Sequence, residues 1–135
     1  MTLFEHRDKI FKEIFKPAFK MKGFSISGTT FKKQEESFSK IFNFQSSGFN
    51  LDDSVSFYLN IGLLFPIWFD IRNESPPKSA KIYDCQFRIR TDSVTGRNQM
   101  YSLTSNTNFE EFESLIKSDL EKYILPFFDK YSSLS

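Results

Sequence analysis

Seven polar side chains carry most of the chemistry this sequence can offer: Asn43, Gln45, Tyr58, Asn60, Gln86, Arg88 and Arg90. They recur at every second position within runs of alternating apolar and polar residues, the spacing that places side chains on one face of a β-sheet. Guanidinium forks grip carboxylates and phosphates in bidentate fashion, and amide side chains read hydrogen-bonding edges. Such a face suits an acidic or phosphorylated ligand, or an acidic protein surface. The plain alternative is a solvent-facing sheet surface tied by cross-strand polar pairs. Trp68 joins the candidates because Leu64–Phe69 is an apolar run able to lie over this face as a lid, or to plug the sheet edge.

The usual catalytic kit is thin. The single histidine, His6, lies on a helix near the terminus with no nucleophile motif beside it, and is expected to be structural or solvent-exposed. The single cysteine, Cys85, cannot form an internal disulfide and reads as a small core residue rather than a reactive thiol. Asp52-Asp53, Asp70 and Asp84 have carboxylates for acid–base work or metal binding, but their spacings match no metal signature, and Asp-Asp in a turn is ordinary turn chemistry. Ser46-Ser47 lacks the glycines of a nucleophile elbow. The sequence therefore implies no metal and no cofactor. A net charge of +1 supplies no global field for nucleic acid or membrane. Lys9, Lys12, Lys16 and Lys20 line one helix face, but the phenylalanines point the other way, which argues for a solvated face over a nucleic-acid surface.

These side chains need a scaffold, and the phenylalanines define it. At 135 residues the chain is expected to form one α+β domain, with a core rich in rings because aromatics reach 18%. A helix is expected over about Thr2–Lys22, with Phe4, Phe11, Ile14, Phe15 and Ala18 mainly on one side. Pro17 should kink or split it. Gly23 should end it in the left-handed conformation, with Phe24 folding back on the last turn. Strands follow: Phe24–Ile26, Thr29–Gln34, Ser37–Ser46, Ser54–Leu63, Ile82–Thr91 and Gln99–Leu103. Turns fall at Glu35-Glu36, from Ser47-Gly48 to Asp52-Asp53, and around Gly96. Val55, Phe57, Leu59 and Ile61 share one face, as do Phe42 with Phe44 and Cys85 with Phe87 and Ile89. Ile41 alternates with them on the face of Asn43 and Gln45. Leu64–Ala80 reads as a loop, with Pro66, Pro76 and Pro77, too apolar to float free. The last helix opens with a capping box, Thr107 and Glu110, and carries the stripe Phe109, Phe112, Ile116, Leu120, Tyr123, Phe127, with Pro126 bending its end. The order α-β-β-β-β-β-β-α and short connections favour an antiparallel sheet with both helices on one face.

Two further bounds come from the whole chain. Residues 1–40 carry nine Lys/Arg against five Asp/Glu, and residues 109–130 six acids against three bases. The end helices either attract one another or keep solvated outer faces. MTLFEHRDKIFKE lacks the apolar core of a signal peptide, and Ile61–Phe69 is far short of the roughly 20 residues of a membrane helix. A cytoplasmic protein without a membrane partner is the expectation.

The segments Phe15-Lys16-Pro17-Ala18-Phe19-Lys20-Met21-Lys22-Gly23-Phe24, Phe42-Asn43-Phe44-Gln45-Ser46-Ser47, Phe57-Tyr58-Leu59-Asn60-Ile61-Gly62 and Cys85-Gln86-Phe87-Arg88-Ile89-Arg90, in that order, resemble the bacterial family filed as domain of unknown function 4304. The resemblance runs from the first helix to Leu125-Pro126. Tyr101 stands near the last strand where the family's patterns usually carry tryptophan. The resemblance implies the fold and a bacterial cytoplasmic setting, and no activity.

The sequence thus favours a small non-enzymatic binding domain. Its polar sheet face would meet a protein partner or an anionic ligand through Gln45, Tyr58, Asn60, Arg88, Arg90 and Trp68. An immunity-type protein that neutralises a toxin is one concrete version, by analogy at fold level. The rival is an enzyme acting on a phosphorylated or carboxylated small molecule, with Arg88 and Arg90 as clamps. A third reading puts a ligand site under the Leu64–Ala80 loop. Oligomeric state is not legible in the sequence.

Overall fold

Thr2 opens the first helix. Its hydroxyl accepts a bond from the Glu5 N–H at 3.1 Å, and the Glu5 carboxylate accepts one from the Thr2 N–H at 3.3 Å, a reciprocal cap on α1, Leu3–Ile10. This is a computed structural model that describes residues 2–47, 53–75, 77, 80–91, 95 and 101–131. The expected turns at residues 48–52 and around Gly96, and the start of the last strand at Gln99, lie outside the described residues.

Both prolines open a new helical segment, as expected at Pro17, and each follows a π-helical turn. Phe11–Phe15 widens before α2, Lys16–Met21, where the Lys16 N–H donates to the Phe11 carbonyl. Proline has no N–H to give, and its ring presses on the preceding turn; one extra residue in that turn relieves both. Gly23 then closes the helix at φ +87°, and Phe24 folds back with its ring 4.9 Å from that of Phe19, as expected.

The last helix repeats the device. Its cap is Asn108 rather than Thr107: the Asn108 side chain accepts from the Glu111 N–H at 3.1 Å and opens α4, Phe109–Asp119. Asn is the better cap of the two, and the Thr107 hydroxyl instead accepts from the Thr104 N–H at 2.8 Å. Leu120–Ile124 forms the π-turn, and α5, Leu125–Lys130, holds Pro126. The inserted residue rotates the apolar stripe by one position. Ile116, Leu120, Ile124 and Phe128 are buried, while Tyr123, expected on the stripe, faces solvent and Phe127 is half-buried. In the first helix, likewise, Ile10 and Phe19 join Ile14 and Phe15 in the core, and Phe4, Phe11 and Ala18 are only partly covered.

Between the helices lies a six-stranded antiparallel sheet: β1 Ser25–Ser27, β2 Thr30–Gln34, β3 Ser39–Ser46, β4 Ser54–Leu64, β5 Phe87–Arg90 and β6 Tyr101–Thr104. The path is β1-β2-β3-β4-β5, with β6 also on β4. β4 is the spine. β3 covers one edge from Phe57 to Leu64; on the other, β6 pairs with Ser54–Phe57 and β5 with Asn60–Leu63. Both terminal helices pack on one face, over Phe31, Phe42, Phe44, Val55, Phe57, Leu59, Ile61 and Leu103. The fold is the expected α+β arrangement.

Two segments differ from expectation. Leu64–Ala80 contains a short helix, α3, Pro66–Ile71. Proline is tolerated at a helix's first turn, and Asn73 at φ +54° ends it, with the Glu74 N–H reaching back to the Phe69 carbonyl at 2.8 Å. The expected strand Ile82–Thr91 starts only at Phe87, because Ile82–Asp84 forms a 3₁₀ turn, braced by the Asp84 carboxylate, which reaches back to accept from the N–H of the preceding Lys81 at 2.8 Å. That turn breaks strand parity. Cys85 accordingly does not join Phe87 and Ile89 on the helix side. It packs on the opposite face with Ile41, Leu64 and Ala80, against Phe69 and Ile82. No helix among the described residues is long and apolar enough to cross a membrane.

Candidate functional site

The face away from the helices is divided. One end is the small apolar cluster around Ile41 and Cys85; the other is polar. Sheet register sets the boundary. Asn43 lies opposite Asn60, and Asn60 opposite Arg90; Ile41 lies opposite Gly62, and Gly62 opposite Arg88; Gln45 lies opposite Tyr58. Parity puts these residues on one face, and register puts them side by side.

Gly62 makes the arrangement fit. A Cβ there would stand 2.6 Å from the Cys85 Sγ and 2.7 Å from the Ile82 Cδ1. Only glycine lets the 3₁₀ turn lie directly on the sheet, and that turn supplies a wall. The result is an open cleft of about 270 Å³ lined by Gln45, Asn60, Ile82, Arg88, Ile89 and Arg90. Four of the six sequence-derived candidates line it: Gln45, Asn60, Arg88 and Arg90. Tyr58 sits beneath, with the Arg90 guanidinium 3.9 Å above its ring centroid. That is a close cation–π stack, and it holds the arginine over the sheet. Trp68 is elsewhere: it is on α3, 46% exposed, with the Arg72 guanidinium 5.8 Å from its ring, and it does not line the cleft.

The amides are oriented by one another. The Asn60 side-chain NH₂ donates to Gln45 Oε1 at 2.9 Å and to Asn43 Oδ1 at 3.3 Å, and the Asn43 NH₂ donates to the Thr29 carbonyl at 3.3 Å. Gln45 therefore has its side-chain oxygen engaged, and its NH₂ group is the donor it brings to the cleft lining. Arg88 is steadied by its bond to the Tyr83 carbonyl at 3.4 Å. Among the described residues, no carboxylate forms an ion pair with Arg88 or Arg90. The cleft thus presents two cations and an amide donor, a set that complements an anion.

The remaining candidates have structural duties. Gln86 braces α3, accepting from the Phe65 N–H at 2.7 Å. His6 stacks flat on Phe109 at 3.7 Å, joining the two terminal helices. Burial, reinforced by neighbouring Asp84, pushes the Cys85 thiol up to about 12, far from a nucleophile's range. Among the described residues, no three His, Cys, Asp or Glu side chains come together as metal ligands. Sequence reasoning missed Ile82 and Gly62. The signal available was the lone glycine on the polar side of the clearest strand, which marks a close approach by another segment.

Comparison with curated proteins and with solved structures finds no match. A family model does match: it spans residues 15–130, from the end of the first π-turn to the end of α5, and the chain belongs to the family described as Domain of unknown function (DUF4304).

Proposed function

We propose that this protein is a non-catalytic binding module that receives a carboxylate or phosphate group of its partner in the cleft between Arg88 and Arg90. The observation that carries this reading is the convergence of both arginines with Gln45 and Asn60 on one concave site. Two exposed guanidiniums beside one another repel unless an anion sits between them, and the Tyr58 ring fixes one of them in place. The cleft is open rather than enclosed, and no carboxylate lines it among the described residues. That lining suits recognition better than proton transfer, which needs an acid or base within reach of the reacting atom.

The test is titration of the ¹⁵N-labelled protein with inorganic phosphate and with succinate, beside the Arg88→Ala/Arg90→Ala variant. Both side chains are exposed, so the variant should keep its melting temperature. The expected result is saturable shifts around β4 and β5 that weaken with salt and vanish in the variant. Shifts that persist in the folded variant would place the anion elsewhere. A large fall in melting temperature would make the arginines structural.

A further inference from the structure

Resting on that reading, we infer that the partner is a protein segment, one that seats an acidic side chain in the arginine cleft and an adjoining aromatic or aliphatic side chain on α3. Eight large apolar or aromatic side chains are exposed among the described residues, and four of them, Ile67, Trp68, Ile71 and Tyr83, fall within one short stretch of chain. On α3 the spacing of Ile67, Trp68 and Ile71 makes one stripe, with neighbours three and four residues apart. Ile67 and Ile71 are 64% and 73% exposed, although isoleucine is among the residue types most often buried. No residue of α3 is fully buried; the helix is held by partly buried Phe69, which packs on the cluster of Ile41 and Cys85. A six-residue helix has little stability of its own, so an apolar outer face on it is costly unless something covers it.

The stripe and the cleft share a foundation. Ile82 packs in the cluster that supports α3 and also lines the cleft. The next residue, Tyr83, is 69% exposed, and its carbonyl accepts the bond from Arg88. One 3₁₀ turn thus links the support of α3 to the cleft, where neither arginine forms an ion pair with a carboxylate among the described residues. Arg72, at the end of α3, extends the basic side over Trp68, partly balanced by Glu74 at 3.3 Å. Trp, Tyr and Arg together are the residues that dominate protein–protein binding energy. Charge complementarity selects an acidic partner, and the adjoining exposed rings select one with its own apolar anchor. A small anion would use the cleft and leave the stripe bare.

The experiment selects binders from a phage-displayed random peptide library on the full wild-type chain and measures the synthetic winners by fluorescence anisotropy. The expected winners carry Asp or Glu close to Trp, Phe or Leu. Arg88→Ala/Arg90→Ala and, separately, Trp68→Ala/Ile71→Ser should each weaken them by about tenfold or more. Ile71→Glu, at a 73% exposed position, is a second variant that should repel the acidic segment without disturbing folding. Inorganic phosphate binding should survive both α3 variants. Failure to enrich any peptide while phosphate still binds would overturn this inference and leave the anion-binding reading standing. Loss of phosphate binding as well would end both. Winners without an acidic residue, or indifferent to the α3 variants, would overturn it, as would concentration-dependent dimerisation abolished by Ile71→Glu, which would assign the stripe to a second copy.

Discussion

Phe57 shows how much one ring can carry in this core. It is fully buried, stacked on Phe44 at 4.5 Å and on Tyr101 at 5.4 Å, with Phe112 edge-on at 6.2 Å. Truncation removes its transfer free energy and leaves a cavity between strand and helix. Phe57→Ala is expected to cost about 3–5 kcal/mol in chemical denaturation; a loss below about 1 kcal/mol would contradict the assignment of faces. Cys85 makes a different prediction. The unfolded chain ionises its thiol near the ordinary value of 9.0, the folded chain near about 12. The folded state favours the neutral thiol, so this contribution is intact below pH 9 and declines as pH rises toward 12. Melting temperatures measured across that range should fall less steeply in Cys85→Ala than in the wild type. Both residues lie in alternating runs, yet only Phe57 was placed correctly by alternation. The 3₁₀ turn that sends Cys85 to the other face arises from Asp84 capping the Lys81 N–H, an interaction that strand periodicity does not contain.

At the scale of elements, helices and strands were legible because each shows one clear period, and their refinements were not. The stripe on the last helix is right through Leu120 and wrong by one position beyond it. A π-turn leaves no mark in a 3.6-residue pattern except the proline that provokes it. α3 went unread because three prolines and a short apolar run look like a loop, and its helical state depends on closure by Asn73. The cleft was half legible: parity grouped its polar residues, but the β4–β5 register and the wall at Ile82 come from Gly62. This gives an element-level prediction. Gly62→Ala must push the Cys85 Sγ or the Ile82 side chain aside, and such overpacking costs about 1–3 kcal/mol. Because the displaced segment is a wall of the cleft, Gly62→Ala should also weaken phosphate binding. Chemical shifts of the helix-face core should stay in place. Unchanged binding in a folded variant would separate the turn from the site.

The molecule as a whole is closed by its two ends. Lys22 pairs with Asp129 at 3.0 Å and Lys9 with Glu113 at 3.5 Å, so opposite charges on the two terminal helices meet. The first pair is exposed and the second half-buried, and surface pairs of this kind are worth about 1 kcal/mol at most. The stronger tie is apolar: Ile116, Leu120, Ile124 and Phe128 join Ile10, Phe15 and Phe19 over the same sheet face. That closure has a consequence for synthesis. A ribosome adds roughly 5–20 residues per second, so several seconds separate the emergence of Phe57 from that of Phe128. Throughout that interval the sheet's phenylalanines lack the cover of the last helix. A nascent chain arrested at Thr107 should remain protease-sensitive and bind a chaperone that recognises apolar segments, whereas the released full chain should do neither. The long-range wrapping that gives this small fold its ring-filled core also obliges the cell to shelter it until the last helix arrives.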